Sequence, residues 1–189
     1  MDHSFLFAGA GVILLALTRI MSSTDLPVGK VTAIASIGDT ATGIRGTVTF
    51  TETDDDRVEI AVKLTGLPSN SKLGFHIHEA GDLTEGCVSA CAHLNPFGTV
   101  HGGPGSKTRH VGDLGNIQTD SEGSARTIFA DPMIKLRGYR QNIVGRAVVI
   151  HEKADDLGLG NDEESLRTGN AGKRIACAVI GYSKTMYAR

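Results

Sequence analysis

The chain has 189 residues, a formal net charge of −2 and 21% charged residues, which is typical of one globular domain with short tails. The nearly balanced charge argues against a polybasic protein that binds nucleic acid or a membrane surface. Glycine accounts for 24 residues, aromatic residues for 5%, and tryptophan is absent. This composition favours an all-β fold with many turns and an aliphatic core. The three cysteines are too few for a disulfide-stapled scaffold.

The N-terminal part contains an unbroken apolar run, Phe5–Leu17. This run is shorter than the ~20 residues that a membrane span needs, but it suits the centre of a secretory signal peptide. No Lys or Arg precedes it, and Met21 offers a second translation start. We expect residues 1–26 to be a leader and residues 27–189 the folded domain. The leader is either a signal peptide of a secreted protein or an upstream extension of a cytoplasmic protein that starts at Met21.

Most of the remaining sequence alternates apolar and polar residues with the period of a β-strand. Eight short strands are predicted, with no amphipathic helix, and this pattern is typical of a β-sandwich or barrel. The predicted strands are Val31–Ile37, Ile44–Phe50, Val58–Leu64, Gly74–Glu79, Gly112–Ile117, Ser124–Ala130, Ile143–His151 and Ile175–Gly181.

Two connections are unusually long, from Glu79 to about Val111 and from Glu152 to about Arg174. Loops of this length in a compact domain are usually functional or disordered. The two connections contain most of the distinctive residues of the chain, so we interpret both as functional loops.

Histidine gives the most informative pattern. Within a strand, His76 and His78 point to the same face, which makes them a chelating pair. Imidazole suits copper and zinc, and a carboxylate is an acceptable zinc ligand. The pattern predicts a metal site, although spacing does not show how ligands divide between metals. Its candidate ligands are His76, His78, His93, His101, His110, Asp113 and His151.

Several ordered motifs resemble the copper–zinc superoxide dismutase family, over about Val31 to Tyr182. The matching segments are Gly74–Glu79, His93–Pro96, His101–Pro104, Arg109–Asn116, Val149–Gly158 and Thr168–Cys177.

The resemblance implies an eight-stranded Greek-key β-sandwich, related in architecture to immunoglobulin domains. It implies an antioxidant enzyme that dismutes superoxide to dioxygen and hydrogen peroxide by alternate reduction and reoxidation of copper. One copper ion and one zinc ion are expected per subunit. The implied copper ligands are His76, His78, His93 and His151, and the implied zinc ligands are His93, His101, His110 and Asp113, with His93 bridging both ions.

Further roles are implied outside the ligand set. Asp155 is expected to accept ring N–H bonds from His76 and His101. Arg174 is expected to bind and orient superoxide. Glu163, Glu164 and Arg167 are expected to shape the field that guides the anion, unless they are merely solvated loop charges.

Cys87 and Cys177 match the disulfide positions of the family. Cys91 stands where a small residue such as Gly is usual. It is a small buried side chain, a competing disulfide partner for Cys87 or Cys177, or an oxidation-sensitive thiol near copper.

As partners, the resemblance implies a homodimer through strand edges that include Gly81 and Ala178–Gly181. It also implies metal loading by a copper chaperone.

Two other functions are compatible with the same domain. A copper chaperone would carry an additional domain with a CxxC and a C-terminal CxC, and neither pattern is present. A metal-storage or structural zinc protein would be favoured by loss of a copper ligand or of Arg174, and none is lost. The enzyme is therefore the preferred interpretation.

Overall fold

The computed structural model describes residues 29–38 and 41–187, so the expected leader lies outside the described residues. Two antiparallel sheets pack face to face, which confirms the predicted β-sandwich. The strands are β1 (Thr32–Gly38), β2 (Arg45–Glu52), β3 (Val58–Thr65), β4 (Lys72–His78), β5 (Thr84–Cys87), β6 (Asp113–Gln118), β7 (Ala125–Asp131), β8 (Ala147–His151), β9 (Arg174–Val179) and β10 (Gly181–Tyr182).

The first sheet has the order β10-β1-β2-β3-β7, and the second has the order β6-β4-β8-β9. Neighbouring strands β4 and β8 are distant in sequence. Between them the chain crosses to the first sheet, where it forms β7, and then returns. The second sheet is the one that positions the histidines, because β4 and β8 both end in them.

The core lies between the sheets and is built by strand alternation. In β3, for example, Val58, Ile60, Val62 and Leu64 are buried while Glu59 and Lys63 are exposed. A period of two places every second side chain on the inner face, where burial of each large aliphatic group stabilises by ~1.5–3 kcal/mol. Phe75 of β4 meets Phe129 of β7 edge to face, with ring centroids 6.3 Å apart.

Most predicted strand boundaries lie within one or two residues of the observed ones, and larger differences occur at two places. The predicted strand Ile175–Gly181 is divided between β9 in one sheet and β10 in the other. Ile180 lies at the crossing, where its N–H donates to Arg146 O. The predicted strand Ile143–His151 begins only at Ala147, because residues 143–146 form a turn closed by the Arg146 N–H bond to Ile143 O.

The two long loops contain short elements of their own. The first holds β5 and a 3₁₀ helix, Val88–Ala90, and the second holds one helical turn, α1 (Ser165–Thr168). The disulfide between Cys87 and Cys177 joins the first loop to β9, with the two Cα atoms 5.7 Å apart. In the described part of the chain, no helix is both long and apolar enough to cross a membrane.

Candidate metal centre

Strand β4 supplies the first two histidines. Phe75 and Ile77 face the core, so the alternation turns His76 and His78 to the other face. That face is not solvent-exposed: the two histidines are 0% and 1% exposed. The long loops cover it, since His93 of the first loop forms a β-bridge with His78. The alternation of apolar residues and histidines in β4 is typical of a strand with one exposed face, but here both faces are buried.

One group of ligand atoms is formed by four imidazoles. His76, His78, His93 and His151 each offer a ring nitrogen within 4.8 Å of the others. The Nε2 atoms of His78 and His151 are 3.4 Å apart. Four converging nitrogens form a site of the kind that copper prefers.

A second group surrounds one carboxylate oxygen. Asp113 Oδ1 lies 2.8 Å from His93 Nδ1, 3.0 Å from His101 Nδ1 and 3.1 Å from His110 Nδ1. The other oxygen, Oδ2, accepts backbone N–H bonds from Gly102 (3.1 Å) and His110 (2.8 Å). These bonds orient the carboxylate so that Oδ1 faces the three rings. Three nitrogens and one oxygen match the ligands of a tetrahedral zinc site.

His93 is the residue shared by these two groups. Its Nδ1 faces Asp113, which leaves Nε2 as the ring nitrogen for the four-imidazole group. The other five rings each use one nitrogen outside the two groups, which fixes the tautomer. His78 Nδ1 donates to Cys91 O, His151 Nδ1 to Gly172 O and His110 Nε2 to Thr99 O.

Asp155 holds the remaining two rings. Its carboxylate oxygens accept from His76 Nε2 at 2.9 Å and from His101 Nε2 at 2.8 Å. Asp155 is itself 2% exposed, and Asn116 pairs with its backbone at both N–H and C=O. One carboxylate thus connects a ring of the first group to a ring of the second.

The residues fit metal ions on a further observation. Nδ1 of His76 and Nδ1 of His101 are buried without a hydrogen-bond partner, although His101 Nδ1 lies 3.0 Å from Asp113. A buried polar atom without a partner is costly. A metal ion in each group would supply the missing partner, because both atoms are inward-facing nitrogens of those groups.

Burial and neighbouring charges prepare the ligands for metal binding. Burial, aided by His93, lowers the pKa of His76 to about 3 and that of His78 to about 2. Burial opposes ionisation of Asp113, but hydrogen bonds from His101, His110 and His93 outweigh it and hold the pKa of Asp113 well below its usual value. Neutral imidazoles and an ionised carboxylate are the ligand forms that bind metal ions.

His101 departs from this pattern. Burial lowers its pKa, but its contacts with Asp113 and Asp155 outweigh burial and raise the pKa to about 9. It is flanked by two carboxylates that favour its cation when no metal ion balances their charge.

A groove of about 710 Å³ opens over the four-imidazole group. His78, His93 and His151 line it, as does Arg174. The Arg174 guanidinium donates to Cys87 O at 2.6 Å and to Val88 O at 3.0 Å, and also bonds Cys91 O. The groove is far larger than a diatomic anion, so it is an approach channel and not a fitted pocket.

The structure places the three loop charges differently. Glu164 and Arg167 line the groove and form an ion pair, whereas Glu163 is exposed and does not line it. Lys153 and Lys173 also line the groove. The sequence analysis assigned no role to either lysine, although both lie within the matching segments Val149–Gly158 and Thr168–Cys177.

The structure also decides between the alternatives for Cys91. Its side chain is exposed and its thiol is free, so the buried alternative is wrong. The carbonyl groups of Cys91, Gly172 and Thr99 were also missed, because any residue type supplies a carbonyl group.

Comparison with known proteins agrees with the chemistry of the site. A sequence model of the copper/zinc superoxide dismutase family matches residues 44–180. The chain is 58% identical over 173 residues to a copper–zinc superoxide dismutase of Paramecium bursaria Chlorella virus 1, covering 91% of this chain and 90% of that protein. It is 53% identical over 141 residues to the extracellular copper–zinc superoxide dismutase of Drosophila melanogaster, covering 74% and 77%.

A solved structure shows the same fold. The crystal structure of the clock protein EA4 superimposes with a TM-score of 0.76 at 47% identity, covering 80% of this chain and 94% of that one. The two ligand groups, the match of the family model and these relatives lead to one conclusion. The chain belongs to the copper–zinc superoxide dismutase family, and it is an oxidoreductase that uses copper and zinc to convert superoxide to dioxygen and hydrogen peroxide.

Proposed function

We propose a division of the site into two metal positions that share one ring. Copper is held by His76, His78, His93 and His151, and zinc is held by His93, His101, His110 and Asp113. Bound copper supplies one-electron redox chemistry, and bound zinc supplies a fixed, redox-silent charge. The observation that carries this proposal is the membership of His93 in both ligand groups.

Arg174, which lines the groove, binds and orients superoxide. Its guanidinium is fixed by three backbone carbonyl groups, so little entropy is lost when it meets the anion. Arg174 lines the same groove as His78, His93 and His151, so superoxide beside its guanidinium is also beside the copper ligands. Lys153 and Lys173 add positive charge to the same groove. Glu164 and Arg167 shape the field from within its lining, and exposed Glu163 contributes to that field from outside the lining.

His93 moves a proton. Its Nδ1 stays with the zinc group, while Nε2 faces the copper group. In the half-reaction that reduces superoxide, Nε2 would no longer serve as a metal ligand; it would carry a proton and donate it to the product peroxide, and solvent would supply the second proton. Asp155 keeps the flanking rings His76 and His101 in place while His93 changes its protonation.

The shared ring is testable by replacing zinc with cobalt(II). Both ions are then paramagnetic, and a shared imidazolate couples their spins, so the copper(II) resonance signal should disappear. In His93→Ala, both ions should be uncoupled and the copper signal should return. A full copper signal in the cobalt-substituted wild-type protein would contradict the proposal.

We further propose that the chain forms a homodimer through the edge of the second sheet. Val179 is 42% exposed on β9, the edge strand, and Gly81 packs so closely that a Cβ atom would lie 3.3 Å from Val179 Cγ1. An exposed apolar residue on an edge strand favours association. Sedimentation of the wild-type protein should give the mass of two chains, and Val179→Lys should give the mass of one. A wild-type particle of one chain would refute the dimer.

The compartment of the protein and the source of its copper are separate questions. We propose residues 1–26 as a leader, residues 27–189 as the dismutase domain, and secretion as the destination. The run Phe5–Leu17 and the relative named as extracellular support this proposal. Copper loading by a chaperone is proposed from the family resemblance. Intact mass of protein from medium and from cells tests secretion: a chain beginning at Met21 found only in cells would favour the cytoplasmic alternative.

A further inference from the structure

A second charged site lies on the outer face of the first sheet, away from the metal ligands on β4 and β8. Arg45 of β2, Lys63 of β3 and Arg126 of β7 are all exposed and line a groove of about 300 Å³. Gly46, Leu64 and Thr65 complete the lining. We name these three residues the cation triad.

Strand register forces the triad together. Lys63 lies directly opposite Arg126 across β3 and β7. Arg45 lies opposite Thr65, two residues along β3 from Lys63, so Arg45 is a diagonal neighbour of Lys63. Opposed side chains start from Cβ atoms ~4.5–5.5 Å apart, and like charges placed in this way destabilise a sheet.

No carboxylate within the described residues offsets this charge. None of the three cations makes a hydrogen bond or ion pair through its side chain there, whereas Arg57 and Arg137 do so with acidic partners. At the outward positions of β2, β3 and β7, Glu59 is the one acidic residue, and it lies four residues, roughly 13 Å, along β3 from Lys63. Although the chain as a whole has a net charge of −2, the repulsion among the three cations of the triad is therefore not offset locally.

We propose that the cation triad binds a small oxyanion that carries several phosphate or sulfate groups. Two arginines supply flat guanidinium forks that match phosphate and sulfate oxygens, and Lys63 supplies a point charge between them. The groove is open and is lined by three cationic side chains, so it suits an oligophosphate or a sulfated sugar better than an uncharged ligand. Binding there relieves the repulsion between Lys63 and Arg126.

This site is independent of dismutation. The triad lies on the five-stranded sheet, whereas the strand-borne metal ligands lie on the four-stranded sheet. Substitutions in the triad should therefore leave the rate of superoxide removal unchanged, and that rate reports whether each variant has folded and taken up metal.

Calorimetric titration of the metal-loaded protein at low ionic strength tests the proposal. Inorganic tripolyphosphate and sucrose octasulfate serve as probes, and which of them binds more tightly identifies the source of the oxyanion. Metal content is measured before and after, because oligophosphates also bind metal ions. In Lys63→Gln/Arg126→Gln, affinity for the tighter probe should fall by about tenfold or more, the equivalent of one charge-assisted contact.

The matched control is Lys72→Gln/Arg140→Gln, which removes the same charge at two exposed positions outside the triad. It should keep the wild-type affinity within about twofold, since it removes the same overall charge but none of the direct contacts of the triad. If the double triad variant does not fold, Lys63→Gln alone replaces it. Failure of both probes to bind the wild-type protein, or an equal loss in the triad and control variants, would overturn the proposal.

Discussion

Cys91 shows how one residue can act through its backbone. Its φ of 65° and ψ of −148° lie in a region that is essentially restricted to glycine. The conformation aims its carbonyl group at His78 Nδ1 and at the Arg174 guanidinium. A non-glycine residue here is strained, and the strain is maintained because two site residues depend on that carbonyl group.

Cys91→Gly should therefore stabilise the protein. Release of the strain, offset in part by the greater freedom of glycine in the unfolded chain, should raise the free energy of unfolding by about 1 kcal/mol. Denaturant unfolding of the metal-loaded protein measures it. Cys91→Ala is the control, since it removes the thiol but keeps the strain. An equal gain in both variants would show that the thiol, and not the backbone, is the source of instability.

Asp155 shows the opposite case, a side chain that acts on two rings at once. Asp155→Asn leaves one acceptor oxygen for the two N–H groups of His76 and His101. Metal affinity should fall by about 10–100-fold, as is typical when a partner of metal-ligating histidines is lost. Competition with a chelator, followed by metal analysis, measures the loss for each ion. Unchanged retention of both ions would contradict the bridging role.

At the scale of elements, the disulfide fixes the first long loop to β9. Cys87 begins the 3₁₀ turn that carries two of the carbonyl groups holding Arg174, and Arg174 begins β9. The cross-link and the arginine therefore hold the same contact between loop and strand.

Removal of the disulfide should weaken both the fold and the site. The sequence separation is 90 residues, so Cys87→Ser/Cys177→Ser should lose about 4–5 kcal/mol of unfolding free energy in the chain-entropy model. Denaturant unfolding measures the loss, and Cys91→Ser serves as the control for removing a cysteine outside the bridge. A loss below about 1 kcal/mol would mean that the loop stays docked through Arg174 and its hydrogen bonds.

Arg174→Lys should separate the effect of the positive charge at residue 174 from the effect of the hydrogen bonds that position it. Lysine keeps the positive charge but lacks the guanidinium fork that reaches several carbonyl groups. We expect kcat/KM for superoxide to fall by about tenfold with metal content unchanged, because loss of one positioned contact is worth about 1.4 kcal/mol. Pulse radiolysis measures the rate. A wild-type rate in the variant would show that charge alone suffices.

At the scale of the molecule, period-two alternation was enough to predict the sandwich. A strand with one face in the core needs an apolar residue at every second position. Val58–Leu64 illustrates this: its predicted alternation is the burial pattern of β3. Alternation does not show where a strand changes sheets, so the division at Ile180 could not be predicted. That division depends on a tertiary hydrogen bond to Arg146.

For the site, the sequence predicted the side-chain ligands but not the backbone groups that hold them. Residue types and motif order placed the histidines and Asp113 together, because few other functions require so many imidazoles in one order. The backbone carbonyl groups that fix the rings were not predictable, since they carry no residue-type signal. Lys153 and Lys173 were missed because an exposed lysine is common, and only the folded loops bring both to one groove.

The most direct test is the decay of superoxide in the presence of the purified full chain, followed by pulse radiolysis with metal analysis of the same sample. The account predicts one copper and one zinc per chain and a second-order rate close to the diffusion limit of ~10⁸–10⁹ M⁻¹s⁻¹, abolished by cyanide. A sample with both metals in full occupancy that leaves superoxide decay unchanged would contradict it.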